Sequence, residues 1–160
     1  RHVSLSTCGL AAGIRRLAGE NLPITLCLSL HAPNQGLRSQ LMPVAKAFPL
    51  DEVMAACRDY VKITGRRMIF EYILIDGVND TLAHADQLAG LVRGMICHVN
   101  LIPINPVPGK DLRPTPPGRV EAFRQRLEGR RVSVTVRRKL GADIDGACGQ
   151  LRRRHLAERT

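Results

Sequence analysis

Strand-like and helix-like segments alternate along the chain, and this alternation limits the possible folds more than any single motif does. Segments of strand character, separated by segments of helical spacing or by loops, lie at 2–6, 24–30, 68–75 and 98–104. An amphipathic helix at 117–128 and a short strand at 132–136 follow them. Because this order builds a parallel sheet with right-handed crossovers, the sequence predicts an α/β fold with outer helices.

The strand predicted at 24–30 has two chemically different faces. One face is apolar and the other carries small or polar side chains; the first holds Leu26, Leu28 and Leu30, and the second holds Thr25, Cys27, Ser29 and His31. In the wall of a β/α barrel, the apolar side of a strand meets the helices and the other side lines a cavity. The pattern therefore favours a barrel wall.

Polar residues lie at or near the carboxyl ends of the predicted strands: Ser6, Ser29, His31 and Asn105. In β/α barrels this end of the strands carries the chemistry, so we expect these residues on one rim. Two of them also have simpler interpretations. His31 is equally well a loop histidine with a local hydrogen bond, and Asn105, which precedes a proline, is equally well a turn residue.

Glu71 interrupts the apolar segment at 68–75, whose composition is typical of a strand covered on both faces. A carboxylate in such a strand must find partners or shift its pKa. Glu71 is therefore either one half of a structural ion pair inside the barrel or a residue that contacts a ligand in the cavity. We favour the second interpretation.

Residues 137–151 concentrate charged groups and glycines around one thiol. Three cations at 137–139 follow the last strand, and Gly146 and Gly149 lie close to Cys148. Glycine suits positions where the backbone turns sharply or approaches a ligand, so this pattern favours an accessible thiol. The alternative is that Cys148 is a small buried hydrophobe, which is the commonest fate of a lone cysteine.

The formal charge of +10 favours a polyanionic partner, with nucleic acid as the first candidate. Only 3% of the residues are aromatic, so contacts should run from Arg and Lys to phosphate and not through base stacking. The alternative is an arginine-rich proteome with a solvated basic surface.

The five cysteines stand singly, and without a Cys-x-x-Cys pair the sequence predicts free thiols in a reducing cytoplasm and no zinc site. No apolar run reaches the length of a membrane helix and no signal-peptide pattern occurs, so we expect no membrane association. Because Arg1 opens the chain almost inside a strand, we expect the sequence to be a piece of a longer protein.

Seven motifs occur in order and together resemble a known family. They are Ser6-Thr7-x-Gly9, Ser29-Leu30-His31-Ala32-Pro33-Asn34, Leu41-Met42-Pro43, Phe70-Glu71-Tyr72, Asp76-Gly77-Val78-Asn79-Asp80, Asn100-Leu101-Ile102-Pro103-x-Asn105-Pro106 and Asp143-Ile144-Asp145-x-Ala147-Cys148-Gly149-Gln150-Leu151. The set is similar to that of the radical S-adenosylmethionine methyltransferases that modify adenine C2 in large-subunit rRNA and tRNA. The resemblance covers nearly the whole chain.

The resemblance implies the C-terminal half of a partial (β/α)6 barrel at 1–110. An extension at 111–160 would carry a helix, a strand and the loop with the methyl-carrier cysteine. The resemblance implies that S-adenosylmethionine is bound by Ser6, Ser29, Leu30, His31 and Asn105. Cys148 would become an S-methylcysteine intermediate, and a second S-adenosylmethionine, cleaved at a 4Fe-4S cluster, would supply the radical. The implied partners are 23S rRNA, tRNA and a reducing system for the cluster, and the full-length protein is expected to be monomeric.

The chain departs from the family in two ways. The Cys-x-x-x-Cys-x-x-Cys cluster motif, a Gly-Glu segment and the second catalytic cysteine are missing, and the resemblance places them upstream of Arg1. This chain alone is therefore expected to hold no cluster and to be inactive. In addition, Ala142 stands where the family usually has an acidic residue.

Three other interpretations remain. One is a non-catalytic basic β/α module that binds folded RNA, and another is the sister activity at adenine C8, which these residues do not distinguish. A phosphosugar-type barrel enzyme would need a glycine-rich phosphate loop after a late strand, and the sequence shows none.

Overall fold

The computed structural model describes residues 3–105 and 112–137 of the 160-residue chain. Within these residues five parallel strands form one sheet, and they lie side by side in their order along the chain. The strands are β1 (Val3–Thr7), β2 (Ile24–Ser29), β3 (Met68–Leu74), β4 (Cys97–Pro103) and β5 (Val134–Val136). This arrangement confirms the predicted α/β fold with parallel strands.

Helices connect the strands, as parallel pairing requires. They are α1 (Ala11–Gly19), α2 (Gln35–Leu41), α3 (Leu50–Thr64), α4 (Leu82–Val92) and α5 (Pro117–Gly129), with a 3-10 turn at Pro43–Lys46. Local chemistry sets several of their ends. The Asn34 side chain accepts a hydrogen bond from the Leu37 amide at 2.9 Å and starts α2, and Gly65, at φ 65°, ends α3.

The hydrophobic core lies between the helices and one face of the sheet. Alternate residues of the three central strands are at most 1% exposed on this face: Leu26, Leu28, Met68, Phe70, Tyr72, Leu74, Val99 and Leu101. Helix α5 joins the same core, since the rings of Phe123 and Tyr72 lie 5.5 Å apart. Each large apolar side chain buried here stabilises the fold by about 1.5 to 3 kcal/mol. Residues 117–136 therefore belong to the same layered unit as the first four strands.

The opposite face of the sheet is partly open. On β3, Ile69, Glu71 and Ile73 are only half-buried, and each alternates with a fully buried neighbour. The expectation that β3 is covered on both faces is therefore wrong for the described residues, because the buried cluster joins the helices to only one of the faces. None of the helices in the described ranges is long and apolar enough to cross a membrane.

Candidate active site

The carboxyl ends of β1 to β4 lie at one edge of the sheet because the strands are parallel, and this edge forms the rim. Ser29 ends β2 and is in register with Glu71 of β3. Ser6 lies on β1, in register with Cys27, and is exposed. Asn105 is half-buried and lies two residues beyond the end of β4. All the rim residues predicted from strand ends therefore lie at or near the same edge.

The end of β2 is tied firmly to β3. The backbone amides of Leu30 and His31 both donate to the carbonyl oxygen of Glu71, at 3.0 and 3.2 Å. The Leu30 side chain is fully buried in the core, and its amide is already used. If Leu30 contacts a ligand, its carbonyl oxygen is therefore the group that remains.

His31 is held in one orientation and in the neutral form. Its backbone has φ 59°, and its Nδ1 accepts a hydrogen bond from the Ile73 amide at 3.3 Å. An accepting Nδ1 places the ring proton on Nε2. The pKa of His31 is lowered to about 4, mainly by burial and also by the nearby Arg38 guanidinium, against the opposing effect of a hydrogen bond to the Glu71 backbone. His31 thus has the local bond of a loop histidine and still presents an N–H donor at the rim.

Asn79 joins the ends of the two strands, a role that the sequence did not reveal. This side chain is fully buried, and its Nδ2 donates to the carbonyl oxygens of His31 at 2.9 Å and Ile73 at 2.6 Å. Its Oδ1 accepts from the Ile75 amide at 2.8 Å. The turn chemistry around residues 76–80 predicted only a loop. The sequence signal that could have indicated this role of Asn79 is its place in a motif directly after a buried strand.

Arg38 is a fully buried arginine beneath the rim, and it was also missed. Its Nη2 donates to the Cys8 carbonyl oxygen at 2.7 Å and its Nη1 to the Phe48 carbonyl oxygen at 3.5 Å. Its Nε has no partner, and no described carboxylate pairs with it. Gly9, at φ 104°, allows this approach, because a Cβ there would lie 3.0 Å from Nη2. Arg38 therefore fixes the loop that follows β1.

A hydrogen-bonded polar network runs across the open face of β3, β4 and β5. Asn100 donates to Oε1 of Glu71 at 3.1 Å and accepts from the Thr135 hydroxyl at 2.9 Å. His98 continues the network, with Nε2 at 3.0 Å from Thr135 Oγ1 and Nδ1 at 2.8 Å from Ser133 Oγ. Burial lowers the pKa of His98, with Arg67 as a second cause.

Within the part of the chain that the structure describes, Glu71 does not form the ion pair that was the alternative interpretation. Asn100 occupies Oε1, whereas Oε2 is buried and has no partner within the described residues. A buried carboxylate oxygen without a partner is costly, so the face is chemically incomplete at this point. It sits beside Ser29, in the adjacent strand. The arrangement agrees with a ligand that brings a hydrogen-bond donor.

Two of the described thiols, Cys27 and Cys57, are poor nucleophiles. Burial raises the pKa of Cys27, and the negative charge of Glu71 adds to the effect. Burial also raises the pKa of the fully buried Cys57 to about 12. A thiol acts as a nucleophile through its thiolate, so neither is suited to that role at neutral pH. Cys148, the predicted methyl carrier, lies outside the described residues, and its role stays a prediction.

S-adenosylmethionine fits the donors and acceptors of this rim, whereas an iron–sulfur cluster does not. The hydroxyl of Ser29, the Nε2–H of His31 and the free Oε2 of Glu71 suit a ligand with hydroxyl, amino and carboxylate groups. In residues 3–105 and 112–137 no group of three His, Cys, Asp or Glu side chains could hold a metal ion. Ligands for a cluster therefore have to come from outside these residues.

Comparison with curated proteins gives close relatives over nearly the whole chain. A protein of Desulforamulus reducens described as a probable dual-specificity RNA methyltransferase RlmN is 54% identical over 155 residues, which is 97% of this chain and 44% of that protein. A protein of the same description from Pelotomaculum thermopropionicum is 58% identical, over 96% of this chain and 42% of its own length. The chain thus spans less than half the length of these relatives. No family model matches it.

Two solved structures resemble the fold. A radical SAM methyltransferase from Sphaerobacter thermophilus superimposes with a TM-score of 0.89 at 51% identity, over 92% of this chain and 43% of that one. A domain of a pyruvate-formate lyase-activating enzyme from Bacteroides vulgatus has a TM-score of 0.67 at 15% identity, over 86% and 81% of the two chains. The second similarity concerns the fold alone.

Proposed function

We propose that this chain supplies the cofactor rim and the methyl-carrier loop of an RlmN-type radical S-adenosylmethionine RNA methyltransferase. Over nearly its whole length the chain matches the C-terminal part of such enzymes. The observation that carries the proposal is the rim itself: the end of β2 at Ser29–His31 is bonded to β3 at Glu71, whose Oε2 has no partner among the described residues. The substrate is adenine C2 in 23S rRNA and tRNA. The cluster is bound by residues outside this chain.

The rim residues orient the cofactor. The hydroxyls of Ser6 and Ser29, the Leu30 carbonyl, the His31 Nε2–H and the Asn105 amide bind the polar groups of S-adenosylmethionine. The hydrogen bonds from the Leu30 and His31 amides to β3 hold the Leu30 carbonyl and the His31 ring in place before the ligand arrives. Such preorganisation reduces the entropy that binding would otherwise cost. When bound, S-adenosylmethionine supplies the methyl group and the hydrogen-abstracting radical of the reaction.

Cys148 is the methyl acceptor. As a thiolate it would take the methyl group from the sulfonium of S-adenosylmethionine, with S-adenosylhomocysteine as the leaving group, and become a thioether. After loss of one methyl hydrogen the carbon would bond to adenine C2, and the second cysteine, outside this chain, would break the bond from Cys148 to this carbon by forming a disulfide with the Cys148 sulfur. A carbon that is not nucleophilic, such as adenine C2, cannot take a methyl group by ordinary substitution, which is why a carrier is needed. The base has to leave its stack to reach the sulfur. The resemblance of residues 143–151 to the family motif supports this role.

The partners follow from the same chemistry. The enzyme binds 23S rRNA and tRNA, receives electrons from a reducing system and works in the cytoplasm as a monomer. The formal charge of +10 supports a polyanionic substrate. The same charge would also suit a non-catalytic module that binds folded RNA, and such a module would not need the Cys148 thiol.

The test is RNA methylation by the full protein that contains this chain, supplied with deuterated-methyl S-adenosylmethionine and analysed by nucleoside mass spectrometry. We expect 2-methyladenosine from the wild type and none from Cys148→Ala, with Cys97→Ala as the control thiol variant that keeps activity. Methylated adenosine from Cys148→Ala would refute the carrier, and 8-methyladenosine from the wild type would move the reaction to C8. RNA binding without methylation by the wild type would support the binding module.

A further inference from the structure

A cleft of about 740 Å³ lies at the end of the sheet opposite the rim. The amino ends of β3 and β4, the segment that leads into β5 and the carboxyl ends of α4 and α5 border it. Four of its lining residues are arginines: Arg67, Arg93, Arg130 and Arg131. Asp86 is the acidic residue among the lining residues. The cleft therefore concentrates positive charge.

Among the described residues, Asp86 pairs with only one of these four arginines, Arg130. It is already paired with Arg126 at 2.7 Å and with Arg130 at 3.0 Å, and its hydrogen bond with Arg126 is the main cause of its lowered pKa. Arg67, Arg93 and Arg131 are exposed and form no ion pair within the described residues. Three guanidinium groups thus face the cleft without an acidic partner.

The two helix ends do not account for the three arginines. A helix carboxyl terminus carries roughly half a negative charge, so α4 and α5 together present about one. The side chain of Arg58 already donates to the carbonyl oxygens of Leu91 and Arg93 at the end of α4, at 2.7 and 3.0 Å. Positive charge remains in excess after this compensation. An anionic ligand would supply the balance.

The lining of the cleft also indicates how the ligand is recognised. None of its residues is aromatic, so it offers no platform on which bases could stack. Exposed arginines without fixed partners suit the oxygens of a phosphate backbone, which positions an RNA without reading its sequence. An extended polyanion is therefore a better match than a single-stranded, base-stacked segment.

We propose that the cleft formed by Arg67, Arg93 and Arg131 binds the phosphate backbone of the substrate RNA at a point remote from the methylated base. The proposal rests on the proposed function, because it takes the substrate to be RNA. Strand β4 has seven residues and so separates cleft from rim by about 20 Å. Only an RNA long enough to span this distance can reach both. The cleft would thus select structured RNA over short fragments.

The experiment measures RNA affinity against KCl concentration for the full protein that contains this chain. The test variant is R67Q/R93Q/R131Q, and the matched control is R16Q/K46Q/K62Q, which removes three exposed cations elsewhere. The probe is bulk tRNA. Each lost phosphate contact lowers the log–log salt slope by about 0.7 to 0.9, so we expect a decrease of about 2 to 3 for the test variant and a clearly smaller one for the control. R67K/R93K/R131K should keep most of the slope.

A second probe uses RNA hairpins of increasing stem length. A hairpin too short to span the strands reaches only one of the two sites at a time, so the difference in affinity between wild type and the glutamine variant should grow once the stem can span the strands. Equal slopes for both proteins on tRNA, or equal losses in the test and control variants, would overturn the proposal. If the triple variant does not fold, the three single variants carry the test, each with a slope lower by about 0.7 to 0.9.

The two proposals can fail separately. A wild type that binds tRNA through the cleft but methylates nothing would refute the proposed function and leave the cleft intact. A wild type that methylates RNA, with a test variant whose slope is unchanged, would refute the cleft alone.

Discussion

At His31, backbone conformation, hydrogen bonding and burial act on one side chain. Its φ of 59° is rare for a residue with a Cβ, and the hydrogen bonds of its amide, its carbonyl oxygen and its Nδ1 hold it there. A protonated ring would lose the bond to the Ile73 amide, because both ring nitrogens would become donors. The fold therefore disfavours the charged form.

The stability of the protein should depend on pH through His31. Its pKa of about 4 in the folded state lies below the ordinary value of 6.5, so the unfolded state takes up the proton first as the pH falls. Stability is fully present above pH 6.5 and falls between pH 6.5 and 4, by up to about 3 kcal/mol. Urea unfolding of the wild type and of His31→Asn at pH 7 and pH 5 measures it. Asparagine tolerates positive φ, so the variant should fold and show a smaller loss.

Two neighbouring residues show what sequence reasoning can reach at this scale. His31 could be predicted at the rim because a strand pattern ends beside it. Arg38 could not, because its burial depends on the carbonyl oxygens of Cys8 and Phe48, which lie 30 and 10 residues away. An arginine in a short helix is ordinarily read as exposed. Only the packed structure shows that it holds the loop after β1.

At the scale of elements, one side chain fastens two strand ends together. Asn79→Ala should destabilise the protein by about 2 to 4 kcal/mol, because it leaves the Ile75 amide and two carbonyl oxygens without partners in a buried place. Asn34→Ala, which removes the half-buried cap of α2, is the matched control and should cost about 1 kcal/mol. Thermal unfolding of both variants measures the difference.

Cofactor affinity adds a second measurement for Asn79→Ala. Because Asn79 holds the carbonyl of His31, its loss should weaken S-adenosylmethionine binding to the full protein, whereas Asn34→Ala should not. Equal effects of the two variants on stability and on binding would mean that Asn79 is an ordinary loop residue.

The elements themselves could be predicted well, since each strand and helix has its own periodicity. The helix predicted at 117–128 is α5, at Pro117–Gly129, and the order of strands in the sheet follows from the alternation. The burial of β3 could not be predicted from its composition. Ile69 and Ile73 are apolar yet half-buried. The burial of their face depends on which other elements pack against it, and the sequence of β3 does not contain that information.

At the scale of the whole molecule, the first strand carries apolar side chains that nothing in residues 3–105 and 112–137 covers. Val3 and Leu5 are 56% and 45% exposed on an edge strand, beside a groove of about 380 Å³ between β1, β2 and α1. An edge strand of this kind also offers unpaired backbone groups. Because the curated relatives are more than twice as long as this chain, a longer protein has further residues with which to cover it.

The 160-residue chain by itself should therefore self-associate. We expect sedimentation velocity to show dimers or larger species whose proportion rises with concentration, since association buries the exposed apolar surface of β1. Val3→Thr with Leu5→Lys should shift the distribution toward monomer, because a lysine on an edge strand opposes strand addition. Ile63→Lys, which places the same charge at an exposed apolar residue of α3, should leave the distribution unchanged. A monomeric wild-type chain would show that the open edge and the groove are stable in water as they stand.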